Sequence, residues 1–112
     1  RDIYERYLLP LIVTENGMAY SDELINGKIH DDYRIDYLSQ HLKMCQRFID
    51  EGYPLMGYSP WSFMDLVSSH QGFMKRYGLV YINRSDNDLK DLKRIPKESF
   101  YWYQKLIKES GR

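Results

Sequence analysis

Hydrophobic and polar positions follow a different rhythm in each part of this 112-residue chain. Arg1 to Tyr7 mixes charge with aromatics and reads as the end of a helix already under way. Leu8-Leu9-Pro10-Leu11-Ile12-Val13-Thr14 is almost continuously apolar, which predicts a strand over 8–14 buried on both faces, as in parallel sheets. From Asn16 to Tyr33 no period holds for 18 residues, and Gly17, Asn26-Gly27 and Asp31-Asp32 mark turns. Loops of that length in compact domains are usually functional or disordered. A helix over 33–51 follows, its stripe set by Ile35, Leu38, Leu42, Cys45 and Ile49 at steps of three and four. Asp31 or Asp32 is placed to cap it, and Gly52 to end it. A second strand is predicted at 55–59, then a loop with a short strand over 66–82. Asn83 to Lys93 is polar and turn-rich. Pro96 is expected at the first position of a last helix, 96–110, with Phe100, Tyr103 and Ile107 on one face and Gly111 at its end.

Strand, helix and strand in close succession form a βαβ unit, so the two strands should be parallel neighbours. Two such strands alone leave both sheet edges open. The expected partners are therefore the remainder of a larger protein or other copies of the chain. Net charge is 0, which offers nothing to nucleic acid or to an anionic membrane. No apolar run is long enough to span a bilayer and no signal-peptide pattern opens the sequence. Cys45 is the single cysteine, which excludes an internal disulfide and fits a reducing, cytoplasmic setting.

Glu15 stands out chemically. It ends the first buried strand and precedes Asn16-Gly17, a turn signal. Desolvating a carboxylate at such a place is costly, and in barrel enzymes chemistry sits at this end of the strands. The second strand ends in Pro60-Trp61-Ser62-Phe63-Met64-Asp65, so both strand ends send polar and aromatic groups to one face. His30, His41 and His70 lack metal-ligand spacing, and Gly72 with Gly78 does not make a phosphate-cradling loop. Arg76 is read as a structural ion pair or solvated charge rather than a ligand contact.

Three motifs together resemble glycoside hydrolase family 1, retaining β-glycosidases on an eight-stranded β/α barrel. Thr14-Glu15-Asn16-Gly17 resembles its nucleophile motif at strand seven, and Tyr58 to Asp65 its strand-eight segment with the Trp-Ser pair. Lys75 to Ile82 and Leu92 to Lys97 resemble the segments that close its C-terminus. The implied fold class is α/β, the C-terminal quarter of the barrel with strands seven and eight and their helices.

The resemblance implies Glu15 as nucleophile and Trp61 beside the sugar ring. Members acting on plain glucosides carry a Glu-Trp pair after the strand-eight Asp, where this chain has Ser68 and Ser69. A carboxylate there would repel a phosphorylated sugar, whereas a hydroxyl donates to it. The 6-phospho-β-glycosidases of the family hold the phosphate with Ser, Lys and Tyr, which Ser68 (or Ser69), Lys75 and Tyr77 match. The small Ser69, where the galactoside branch carries Trp, favours gluco substrates. The expected activity of the parent protein is hydrolysis of 6-phospho-β-glucosides without cofactor or metal. The family's acid/base Glu, in an Asn-Glu-Pro setting, has no counterpart here; Glu23, Glu51 and Asp65 do not replace it. The chain alone is therefore expected to be inactive. The alternatives are a β-glucosidase for unphosphorylated glucosides and a noncatalytic, self-associating barrel piece.

Overall fold

The structure is a computed structural model that describes residues 2–66 and 72–109. Helix α1 (Asp2–Tyr7) leads into strand β1 (Leu11–Asn16), and helix α2 (Asp32–Asp50) connects it to strand β2 (Leu55–Pro60). Strands β3 (Val80–Ile82) and β4 (Arg94–Pro96) and helix α3 (Glu98–Glu109) complete the order.

β1 starts three residues later than the apolar run led one to expect. Leu8 adopts φ 56° and Pro10 has no N–H to give, so the ladder begins where Leu11 N donates to Pro54 O at 2.9 Å. The strand then runs through Glu15 to Asn16, placing the carboxylate inside the strand end rather than after it. β1 and β2 are parallel, with Leu11 opposite Leu55, Ile12 opposite Gly57, Val13 opposite Tyr58 and Asn16 opposite Pro60. Burial on both faces is not observed: Ile12 is 57% and Met56 74% exposed. Among the described residues each of these strands has one strand neighbour, and α2 packs against β2.

The stripe on α2 meets the sheet and α3. Leu38 is fully buried, Ile35, Leu42 and Cys45 are half-buried, and Ile49 at the far end is exposed. Tyr103 and Leu106 of α3 share a groove with Leu42, Cys45 and Tyr58. Gly52 ends α2 at φ 93°, a left-handed value that favours glycine, and its N–H returns to Ile49 O at 2.9 Å.

The N-terminus of α2 departs from expectation. Asp31 occupies the cap position of α2, but its side chain makes no cap bond there. One carboxylate oxygen instead accepts Ser99 N at 2.8 Å and the other accepts the Ser99 hydroxyl, so Asp31 caps α3 from another element. Pro96 is correspondingly not the first residue of α3. It closes β4, because Lys97 N donates to Leu79 O and Glu98 N to Ile29 O, holding this stretch extended until Glu98.

The expected strand at the end of 66–82 shortens to 80–82, since Leu79 N is taken by Ser62 O and Phe63 O. β4 pairs antiparallel with it, Tyr81 opposite Ile95, and was hidden by its polar surroundings in sequence. Phe73, Val80 and Ile82 form a compact apolar cluster with Met64 and Phe100 packed against it.

Candidate active site

The C-terminal ends of β1 and β2 are fastened to one another. Trp61 N donates to Asn16 O at 2.8 Å, directly after Glu15. The side chain of Asn16 accepts Tyr58 OH at 2.5 Å and donates to Tyr37 OH at 3.5 Å, tying the residue beside Glu15 to both β2 and α2. Burial pushes the Tyr58 phenol up to about 12, so it remains a donor. Glu15 itself is exposed at the strand end.

Gly17 is required by the close approach of the two strand ends. A Cβ there would fall 1.9 Å from Trp61 O and 2.9 Å from its carbonyl carbon. Gly17→Ala is expected to destabilise the full-length protein by about 2–4 kcal/mol, because backbone rather than a flexible side chain would have to yield. A urea melt checks this; a loss under about 0.5 kcal/mol, the range of neutral surface changes, would show that the strand ends part easily.

Trp61 is 41% exposed and is joined to Ser62 by a cis peptide. Ser62 is buried, its N–H donating to Tyr77 O at 3.3 Å and its hydroxyl to Met64 O at 2.9 Å. The backbone of Tyr77 therefore lies against the Trp61-Ser62 segment, with its ring half-buried, and Lys75 is exposed two residues earlier. Ser68 and Ser69 lie outside the described residues. The structure thus gathers Glu15, Trp61 and Tyr77 at one end of the sheet and puts Lys75 on the adjoining loop. The apolar grooves between the helices and the sheet are lined by neither Glu15 nor Trp61.

Arg76 points the other way. It is fully buried, with Nε 3.0 Å from Asp65 Oδ2 and a terminal nitrogen donating to Arg84 O at 2.6 Å. It belongs to a cluster of three carboxylates and three cations: Asp22, Asp31 and Asp65 with Arg34, Arg76 and Lys97, all buried. Lys97 Nζ bridges Asp22 at 2.5 Å and Asp65 at 2.8 Å. Burial pulls the Lys97 pKa down, and Arg34 adds to this, against the pull of the two carboxylates. Arg34 sits 2.7 Å from Asp31 and 3.1 Å from Asp22, whose attraction outweighs desolvation and raises its pKa. Tyr33 donates to Asp22 and is likewise held protonated by burial and by that carboxylate.

Sequence reasoning missed this cluster. Its signals were that Arg34 lies one turn before Leu38, on the apolar side of α2, and that Arg76 read as a structural ion pair with no partner named. Asp65 is thereby occupied, and Glu51 pairs with Arg47 at 3.0 Å on the surface. Glu23 is exposed in the loop before α2. His30 contacts Glu98 at 2.6 Å and His41 Nδ1 lies 2.8 Å from Tyr37 O, while His70 lies outside the described residues. Among the described residues no three His, Cys, Asp or Glu side chains converge as metal ligands, and no helix is long and apolar enough to cross a membrane.

Two parallel strands linked through a helix, with Glu15 and Trp61 at their adjoining C-terminal ends, form a β/α unit of the kind from which β/α barrels are built. The profile of Glycosyl hydrolase family 1 matches residues 1–112, and the chain belongs to that family. It is 51% identical over 111 residues to "Aryl-phospho-beta-D-glucosidase BglC" of Bacillus subtilis, covering 99% of this chain and 23% of that protein. It is 47% identical to "6-phospho-beta-glucosidase AscB" of Escherichia coli, over 97% of this chain and 23% of that one. In structure it resembles the "Family 1 b-glucosidase from Thermotoga maritima" with a TM-score of 0.87 at 39% identity, covering 96% of this chain and 24% of the other. The fold is therefore that of part of the family's β/α barrel, and the chain spans about a quarter of the length of the relatives it matches.

Proposed function

We propose that the full-length protein is a retaining 6-phospho-β-glucosidase, and that this chain supplies barrel strands seven and eight. Glu15 attacks the anomeric carbon while a general acid from outside this chain protonates the leaving oxygen. Water then hydrolyses the glycosyl ester, deprotonated by the same residue. Retention requires the two carboxyl groups to stand about 5–5.5 Å apart. The observation that supports the reading is the backbone bond from Trp61 to Asn16, which joins the strand end that carries Glu15 to the segment that carries Trp61.

Lys75 and Tyr77, with Ser68 or Ser69, grip the 6-phosphate. Lys75 gives a compact charge and Tyr77 a phenolic donor, and their remote hold on the substrate orients the anomeric carbon. The names of the two curated relatives, both phospho-glucosidases, support a phosphorylated substrate. A second reading, hydrolysis of plain glucosides, is favoured by the likeness to the Thermotoga β-glucosidase. The small Ser69 favours gluco over galacto substrates. The chain alone, without a general acid, is inactive in this reading.

Hydrolysis of p-nitrophenyl β-glucoside and of its 6-phosphate by the full-length protein separates the two. The phosphorylated substrate is expected to show a kcat/KM at least about 100-fold higher, the value of one or two charge-assisted contacts. Ser68→Glu should erase most of that preference. Better turnover of the plain glucoside, or a preference unmoved by Ser68→Glu, would overturn the phosphate site.

A further inference from the structure

We propose that the buried six-charge cluster is a positioning device for the phosphate-gripping loop, with Arg34 as its key residue. This rests on the role given to Lys75 and Tyr77 above. Residue 76 stands between them and is fixed from several directions. Its carbonyl accepts an Arg34 guanidinium N–H at 2.8 Å and Tyr20 N at 2.9 Å, and its own N–H returns to Tyr20 O at 2.8 Å. Its side chain is drawn inward onto Asp65. Asp65 also accepts Gly78 N at 3.0 Å and Ile82 N at 3.2 Å, so one carboxylate holds the chain on the far side of Tyr77.

The geometry has a consequence for the neighbours. Arg76 is drawn inward by Asp65 and its backbone is clamped by Arg34 and Tyr20, which fixes the chain between Lys75 and Tyr77. Lys75 is exposed and Tyr77 half-buried beside Ser62. Lys97 completes the frame by joining Asp65 to Asp22, which also faces Arg34. Arg34 suits this task because one planar fork reaches Asp31, Asp22 and the Arg76 carbonyl together. A lysine there keeps the charge but presents a single nitrogen.

A double-mutant cycle in the full-length protein tests the proposal, read as kcat/KM on p-nitrophenyl β-glucoside 6-phosphate. Lys75→Met is expected to lower it about 100-fold and Arg34→Lys about 10-fold, the scale of charge-assisted and single hydrogen bonds. If Arg34 acts through the loop, the double variant falls no more than about threefold below Lys75→Met, whereas independent sites would put it about 10-fold below Lys75→Met, roughly 1,000-fold below the wild type. Full multiplicative loss, or an Arg34→Lys that lowers Tm but leaves kcat/KM intact, would overturn the positioning role while sparing the phosphate site. An undiminished kcat/KM in Lys75→Met would overturn the phosphate site itself. Should Arg34→Lys not fold, Asp22→Asn carries the same cycle, since it weakens the hold on Arg34 while keeping its shape.

Discussion

Glu15→Ala is expected to abolish turnover in the full-length protein, with a fall in kcat on the order of 10⁴-fold or more, as when a nucleophile that forms a covalent intermediate is removed. The fold should not notice. Glu15 is exposed at the end of β1, so the change in stability should stay within about 0.5 kcal/mol, as for an ordinary surface position. Sodium azide should restore part of the activity, because a small anion fits where the carboxylate stood and attacks the same carbon. The product would then be the α-glycosyl azide, inverted at the anomeric centre. Glu15→Asp, one methylene shorter, should retain the charge yet lose about 100-fold from misplacement of the attacking oxygen. Retained activity in Glu15→Ala, or rescue by azide without inversion, would remove Glu15 from the nucleophile's place.

The site was legible in sequence where local chemistry decides position. An apolar run ending in Thr14-Glu15-Asn16-Gly17 gave a strand and the group at its end. The period of α2 gave a helix between two strands, and that unit forces the strands parallel and brings Glu15 and Trp61 to the same edge. What was not legible depends on contacts between residues far apart in the chain. The shift of β1 to Leu11–Asn16 depends on where Pro54 O lies, and the start of α3 on Leu79 O and Ile29 O. Asp31 looked like the cap of the helix that follows it, yet it serves one 68 positions away through Ser99. No local rule separates these two uses of an aspartate. Arg76 was readable as a structural charge, but its partner was not, because its burial on Asp65 comes from the cluster and not from its neighbours in sequence.

Asp65 is the residue whose loss should cost the fold most. Its carboxylate is shared by Arg76 and Lys97 and also accepts two backbone N–H groups, from Gly78 and Ile82. A buried ion cluster is no proof of stability, since a well-packed apolar core of equal volume is often as good. Removing one member is a different matter, because the remaining charges stay buried without their partner. In Asp65→Ala, Arg76 would lose its carboxylate and keep the carbonyl oxygens of Ile82 and Arg84, Met74 Sδ and the Phe73 and Tyr81 rings, and Lys97 would face Asp22 alone. The cluster would hold two negative against three positive charges, and two backbone N–H groups would lose their acceptor. The expected loss is about 3–5 kcal/mol in a urea melt of the full-length protein. Asp65→Asn, with one oxygen left for the backbone, should lose less than Asp65→Ala. Glu51→Gln serves as the control, because its pair with Arg47 is solvated and should be worth under about 1 kcal/mol. If Asp65→Ala costs no more than Glu51→Gln, the three carboxylates and three cations do not hold these loops together, and the frame around Arg76 dissolves with them.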